Sequence, residues 1–152
     1  MQDKIRIFSV LAACLLSLAR CLAQAPSPQG SLIHVDVMGL RNNKGQVLCA
    51  LYASAKGFPK DPQKAIHRLT SSISDKKASC EFSLIEPGDY AVSVFHDENS
   101  NGKVDTNFLG IPREGVGASN DARGHMGPPK FDAAHFQFSG GGLNLKITIN
   151  YL

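Results

Sequence analysis

Residues 143–150 read Leu-Asn-Leu-Lys-Ile-Thr-Ile-Asn, an unbroken alternation of apolar and polar side chains. Because successive side chains of a β-strand point to opposite faces, this pattern predicts a strand with one buried and one solvent-facing side. The alternation recurs at residues 78–85, where four side chains would share the buried face: Ala78, Cys80, Phe82 and Leu84. Such strands are typical of antiparallel sheets packed face to face. The sequence therefore predicts an all-β fold, a single antiparallel β-sandwich.

Five more stretches bring the prediction to about seven strands: residues 31–38, 47–52, 68–73, 90–95 and 136–138. The turn residues at 41–45 predict a hairpin between the first two of these, and Asp75-Lys76-Lys77 predicts a second hairpin between 68–73 and 78–85. Short strands separated by turn signals are typical of immunoglobulin-like or transthyretin-like domains. A closed barrel is the structural alternative.

The first 25 residues have the features of a secretory signal peptide. A short basic start precedes a 13-residue apolar run at 7–19, and Ala23-Gln24-Ala25 offers a small-x-small cleavage pattern. A membrane anchor fits less well, because about 20 apolar residues are needed to span a bilayer and Arg20 ends this run. Lipid attachment at Cys14 is a second alternative.

Signal cleavage would leave one domain, residues 26–152, in the periplasm or outside the cell and without a transmembrane segment. It removes three basic residues and one acidic residue, which lowers the formal net charge from +3 to +1. This near-neutral charge does not indicate nucleic-acid binding. Cys49 and Cys80 are the two cysteines that remain, and a pair in an exported domain predicts one disulfide. Two buried free thiols are the alternative.

Residues 97–137 show little strand or helix periodicity, so the sequence predicts one long irregular loop in the sandwich. The segment 97–121 carries five acidic and two basic residues, a net charge of −3. Apolar residues such as Phe108, Leu109 and Ile111 argue against plain disorder. A loop of this length in a small domain is uncommon and is usually functional.

The start of this loop has the spacing of a calcium-binding loop. Six residues fill ligand or turn positions of the pattern: Asp97, Asn99, Asn101, Gly102, Lys103 through its carbonyl, and Asp105. Position 12 of the pattern, which requires Glu, is Phe108, so Glu114 is the best candidate for the missing carboxylate, ahead of Asp121 and Glu98. We therefore expect a weak calcium site. A polar turn without metal and a site for another metal are the alternatives.

A long motif runs from Phe95 to Asn120 and reads Phe-His-Asp-Glu-Asn-x-Asn-Gly-x-x-Asp-Thr-Asn-Phe-Leu-Gly-Ile-Pro-Arg-Glu-Gly-x-Gly-x-Ser-Asn. Gly127-Pro128-Pro129-x-Phe131 continues it. With these motifs the chain resembles the bacterial family named domain of unknown function 2141 over about residues 31–152. The resemblance implies a small exported β-sandwich protein of unassigned function, and it implies no catalytic residues.

Two functions fit these observations. The first is a noncatalytic domain that binds an envelope or extracellular ligand or protein through the loop at 97–137, braced by calcium. The alternative is a small metal-dependent or acid–base hydrolase that uses His96, Asp97 and Glu114. An open pocket with His96 or His125 beside Glu114 would favour the hydrolase, whereas polar side chains converging without a cleft would favour the binding domain.

Overall fold

The computed structural model describes residues 31–152, so the predicted signal peptide, its cleavage site and Cys14 lie outside the described residues. Eight strands are present in this range: β1 Leu32–Met38, β2 Gln46–Tyr52, β3 His67–Ser71, β4 Ala78–Ser83, β5 Gly88–Asp97, β6 Gly115–Ala118, β7 Phe136–Phe138 and β8 Gly142–Thr148. One short helix, α1, spans Phe131–Ala134, and 3₁₀ turns lie at Pro62–Lys64 and Ser119–Asp121. The strand that the sequence did not predict is β6.

The strands form two sheets, which confirms the predicted β-sandwich. One sheet has three strands in the order β4-β1-β8, and the other has the order β3-β2-β5-β6, with β7 also paired to β5. All pairs are antiparallel except β1 and β8, which run parallel from Leu32 opposite Gly142 to Met38 opposite Thr148. The first and last strands of the described chain are therefore neighbours.

Both predicted hairpins are wrong. The turn at 41–45 connects β1 to β2, and the turn at Asp75-Lys76-Lys77 connects β3 to β4, but each connection leads into the opposite sheet. Between β3 and β4 only an isolated bridge from Ser74 to Lys77 is made. Turn residues reverse the chain, yet the apolar faces decide the partner, because strands from both sheets must enclose a common core.

The apolar alternation at residues 78–85 is interrupted at its end. Phe82 is buried, but Leu84 is 79 % exposed and Ile85 takes the buried position. The strand ends at Ser83, and Leu84 has a φ of +59°, which turns its side chain away from the sandwich. The prediction that Leu84 shares the buried face of β4 is therefore wrong.

The core lies between the sheets and is linked across them by a disulfide. Ile33, Val35 and Phe82 from one sheet are buried against Val47 and Leu51 from the other. The predicted disulfide is confirmed: it joins the cysteine of β2 to that of β4, with 6.6 Å between their Cα atoms. Because it closes a loop of 31 residues, it stabilises the fold by about 3.5 kcal/mol in the chain-entropy model.

The outer face of the larger sheet is also covered. Ala91 and Ala118 are buried there beneath Ala134 of α1. The Ser119 hydroxyl accepts a hydrogen bond from the Val92 N–H (2.9 Å) and donates one to the Ala134 carbonyl (2.6 Å). Small side chains allow this close packing, so residues 97–137 are less irregular than predicted: they contain β6, a 3₁₀ turn and α1.

Candidate functional site

Strand β5 ends at Asp97, whose carboxylate is fully buried. One oxygen, Oδ1, accepts a hydrogen bond from the Asn101 N–H (3.0 Å). The other, Oδ2, accepts from the Gly102 N–H and from the Gln46 side-chain amide, both at 2.8 Å. A buried carboxylate is stable only when its lone pairs are satisfied, and here three donors surround it. Asp97 thus fixes the turn that follows β5.

Glu114, which immediately precedes β6, is 4 % exposed and bonds to the other side of the same turn. Its Oε1 accepts from the Glu98 N–H (2.8 Å) and its Oε2 from the Asp105 N–H (2.9 Å). One carboxylate therefore joins both ends of the 98–105 segment. The fold places Glu114 against the loop, where it acts as a clamp on the backbone.

The remaining predicted ligands lie within the turn. Asp105 accepts from the side-chain amides of Asn99 (2.7 Å) and Asn101 (3.1 Å). The Asn101 N–H also donates to Asn99 Oδ1 (3.1 Å), and Asn101 Oδ1 accepts from the Lys103 N–H (2.8 Å). The side chains at positions 1, 3, 5 and 9 of the calcium pattern are thus brought together, and the Lys103 backbone lies beside them.

The chemistry of these donors suits calcium. Carboxylate, amide and backbone carbonyl oxygens are hard ligands of the kind that Ca²⁺ prefers, and no thiol or imidazole belongs to the set. Within residues 31–152, no three His, Cys, Asp or Glu side chains form a group that could hold a metal ion. Glu114, the expected additional carboxylate, bonds the Glu98 and Asp105 N–H groups instead, so a calcium ion here would depend on Asp97 and Asp105, supplemented by Asn99, Asn101 and the Lys103 carbonyl.

An arginine–glutamate pair lies beside the turn. The Arg41 guanidinium binds both carboxylate oxygens of Glu98, at 2.5 and 2.9 Å, and its carbon lies 4.4 Å from the centre of the Tyr151 ring. The hydrogen bonds from Arg41 lower the pKa of Glu98 below its usual range, and those to Glu98 raise the pKa of Arg41. Burial is the main cause that raises the pKa of Tyr151.

His96 is fully buried behind this pair. Its Nε2 donates to the Lys44 carbonyl (2.7 Å), which leaves Nδ1 to accept from the Tyr151 hydroxyl (2.6 Å). Both ring nitrogens are therefore engaged. Since Asp97 and Glu114 are buried and bonded to backbone N–H groups as well, this geometry gives no support to a hydrolase built on these three residues.

An open polar cleft of about 600 Å³ borders the turn. Both signs of charge line it, together with uncharged polar groups: Arg41, Lys44, Glu98, Asn99, Asp105, Thr106, Arg113 and Glu114. Neither His96 nor His125 lines this cleft, so it lacks the histidine beside Glu114 that would favour a hydrolase.

Beyond the turn, residues 107–111 form what we call the apolar tip. Phe108 is 95 % exposed, Leu109 68 % and Ile111 40 %. The Asn107 side-chain oxygen accepts from the Leu109 N–H (2.9 Å) and the Ile111 N–H (3.0 Å), so the exposed residues stand on a hydrogen-bonded turn. Sequence reasoning identified these apolar residues but not their exposure.

Three contributors to the site were not recognised in the sequence. Gln46 bonds Asp97, Arg41 bonds Glu98, and Tyr151 bonds His96. Each lies 51 or more residues from its partner. Arg41 and Gln46 flank the turn between β1 and β2, so the pairing of β2 with β5 is the signal that would have placed them here.

Together these features define a small, disulfide-linked β-sandwich whose β5–β6 connection carries a clamped polar turn and an exposed apolar tip. The chain belongs to the bacterial family described as "Uncharacterized protein conserved in bacteria (DUF2141)", whose model matches residues 35–146. That match includes all of residues 97–137 and confirms the resemblance. No curated protein and no solved structure matches the chain. Among the described residues, no helix is long and apolar enough to cross a membrane.

Proposed function

We propose that this protein is an exported, noncatalytic binding domain that engages a ligand or partner in the bacterial envelope or outside the cell. The loop at 97–137 is its contact surface, and calcium braces the polar turn at 97–105. The observation that carries the proposal is the apolar tip. Exposed apolar side chains grouped on a preorganised turn are typical of an interaction site, because they lower the entropic cost of binding.

The burial of the charged residues supports a noncatalytic role. His96, Asp97 and Glu114 are the side chains that the sequence offers for acid–base chemistry, and each is used to hold the backbone or a neighbouring ring. A catalytic base must reach the proton that it removes, directly or through one water. Their hydrogen bonds instead shape the surface from which the apolar tip projects.

Calcium would act on this loop as a brace. Asp97, Asn99, Asn101, Asp105 and the Lys103 carbonyl are the groups that would hold it, and its charge would offset that of the two carboxylates. With two carboxylates in the set, we expect a dissociation constant of roughly 10⁻⁴ to 10⁻³ M, the range of extracellular modules.

Two observations support export. The disulfide between the sheets is typical of proteins from oxidising compartments such as the periplasm. The family is bacterial, and the signal-like sequence at residues 1–25 provides a route out of the cytoplasm.

A photo-crosslinking experiment tests the contact surface. We would place benzoylphenylalanine at Phe108 and, as a matched control, at Leu84, which is 79 % exposed and precedes the opposite end of β5. In irradiated bacteria that express each variant, we expect a discrete protein or lipid adduct from position 108 and none from position 84. Identical adduct patterns at the two positions would contradict the proposed function.

A further inference from the structure

The apolar tip satisfies its own backbone. Besides the two bonds to the Asn107 side chain, the Gly110 N–H donates to the Asn107 carbonyl (2.9 Å) and the Asn107 N–H donates to the Ile111 carbonyl (2.8 Å). Four N–H groups of the tip are therefore bonded internally. A peptide segment that leaves water for an apolar medium must satisfy these groups itself, since each unpaired group costs several kcal/mol. The tip meets this requirement for four of its five N–H groups before it contacts anything, and the N–H of Phe108 is the exception.

The shape of the tip is that of a small projection. An isolated bridge between Thr106 and Pro112 closes its base, and the Arg113 N–H donates to the Asp105 carbonyl just below (2.8 Å). Such a turn presents three apolar side chains. The surface that they could bury is far smaller than the total of about 1,000 Å² that a stable protein–protein interface buries. Insertion into a lipid interface needs only a few apolar side chains, supported by charge.

The exposed charged side chains within residues 103–113 are of the sign that this support requires. Lys103 and Arg113 flank it and are exposed, and residues 106–113 contain no Asp or Glu. The two carboxylates that border this stretch are both engaged: Asp105 accepts from two side-chain amides and Glu114 from two backbone N–H groups. Basic side chains beside an apolar segment are attracted to anionic headgroups, with about 1 kcal/mol for each Lys or Arg near the surface.

We infer that the apolar tip inserts into the interface of an anionic lipid bilayer, with Phe108 and Leu109 among the acyl chains and with Lys103 and Arg113 at the headgroups. This inference rests on the proposed function and names its partner. The whole domain would then bind a membrane surface reversibly through one end of the sandwich.

The test uses the absence of tryptophan from the chain. Phe108→Trp places one fluorophore at the tip, and Leu84→Trp places one at the far end of the sandwich. Each variant of the exported form, residues 26–152 with the disulfide intact, is mixed with vesicles of phosphatidylglycerol and phosphatidylethanolamine in equal parts, in calcium and in EDTA. We expect a blue shift of emission and quenching by brominated lipid for Phe108→Trp, in at least one buffer, and neither for Leu84→Trp.

A second measurement gives the magnitude. Phe108→Ser combined with Leu109→Ser should weaken partitioning onto these vesicles by about tenfold for each lost side chain, whereas Leu84→Ser should leave it unchanged. Emission of Phe108→Trp that does not respond to vesicles in either buffer would overturn the inference, and so would equal shifts at both positions. If the emission of Phe108→Trp does not respond to vesicles but the crosslinker at position 108 captures a specific protein, the lipid inference is wrong and the proposed function stands.

Discussion

Between the two sheets, the buried side chains are apolar, as at Ile33 and Phe82, and they are held by contact with other apolar groups. At the end of β5 the buried side chains are the carboxylates of Asp97 and Glu114, and each is held by directional hydrogen bonds. Apolar packing depends on volume and tolerates conservative changes of shape. The loop depends on which atom donates and which accepts. The two regions should therefore fail under different substitutions.

The largest effect is expected in the core. Phe82→Ala removes a side chain that is 2 % exposed and leaves a cavity, so the free energy of unfolding should fall by about 3–5 kcal/mol. Urea denaturation followed by circular dichroism measures it. Leu84 lies two residues further along the chain and its side chain is exposed, so Leu84→Ala should change the free energy of unfolding by less than about 0.5 kcal/mol. Similar losses in both variants would mean that this part of the sandwich is not packed as described.

An isosteric change should damage the loop. Asp97→Asn keeps the volume but turns an acceptor oxygen into an NH₂ donor that faces other donors, and we expect a loss of about 2 kcal/mol. Hydrogen exchange should show faster exchange at the Asn101 and Gly102 amides, with little change at β1. Asp89→Asn, on the exposed side of the same strand, is the control. Unaltered exchange at these two amides in Asp97→Asn would show that the Asp97 carboxylate does not hold the turn.

Calcium should stabilise the loop region and not the core directly. At about 1 mM Ca²⁺ the proposed affinity corresponds to roughly 0.4–1.4 kcal/mol of added stability, seen as a higher melting temperature than in EDTA. Asp105→Asn should reduce the response, because it removes one of the two carboxylates, whereas Asp89→Asn should retain it. Equal melting temperatures of the unmutated protein in calcium and EDTA would contradict the calcium brace.

The smallest effect concerns the ion pair beside the turn. Because Arg41 lowers the pKa of Glu98, the pair's contribution is complete above the ordinary value of about 4.5 and is lost as the pH falls through the lower folded value. Arg41 is 47 % exposed, so screening limits this contribution to less than about 1 kcal/mol. The free energy of unfolding of Glu98→Gln should be lower than that of the unmutated protein, and this difference should shrink as the pH falls through this range. A pH-independent difference would show that the charge is not responsible.

Local patterns in the sequence predicted the elements well. The alternation at 143–150 and the pair Cys49 and Cys80 led directly to β8 and the disulfide, because both depend on residue type and short spacing. Strand partners were harder, since a turn reverses the chain without specifying the sheet. Strand β6 was missed because Gly115 and Gly117 lack the side chains that reveal alternation. Glycine is needed there: a Cβ at Gly115 would lie 2.3 Å from a side-chain carbon of Ile149.

In the candidate site, too, the contacts between residues close in sequence could be predicted, whereas those between distant segments could not. The proximity of Asp97, Asn99 and Asp105 follows from their spacing along one turn, so it could be predicted. The contacts of Arg41 and Tyr151 join distant segments, and only the pairing of strands brings them to the turn. The exposure of Phe108 was equally out of reach, because an apolar residue in a loop can pack inward or project, and the sequence alone does not distinguish the two.

The parallel pairing of β1 with β8 has a consequence for the order in which the molecule can be completed. The central strand of the three-stranded sheet lacks one neighbour until residues 142–148 have been synthesised. Contacts between such distant parts of the chain raise the contact order and slow folding. A polypeptide truncated before Gly142 would keep the edge of β1 open, and open edges invite pairing with other chains. We therefore expect the domain to reach its native state only after β8 has been synthesised.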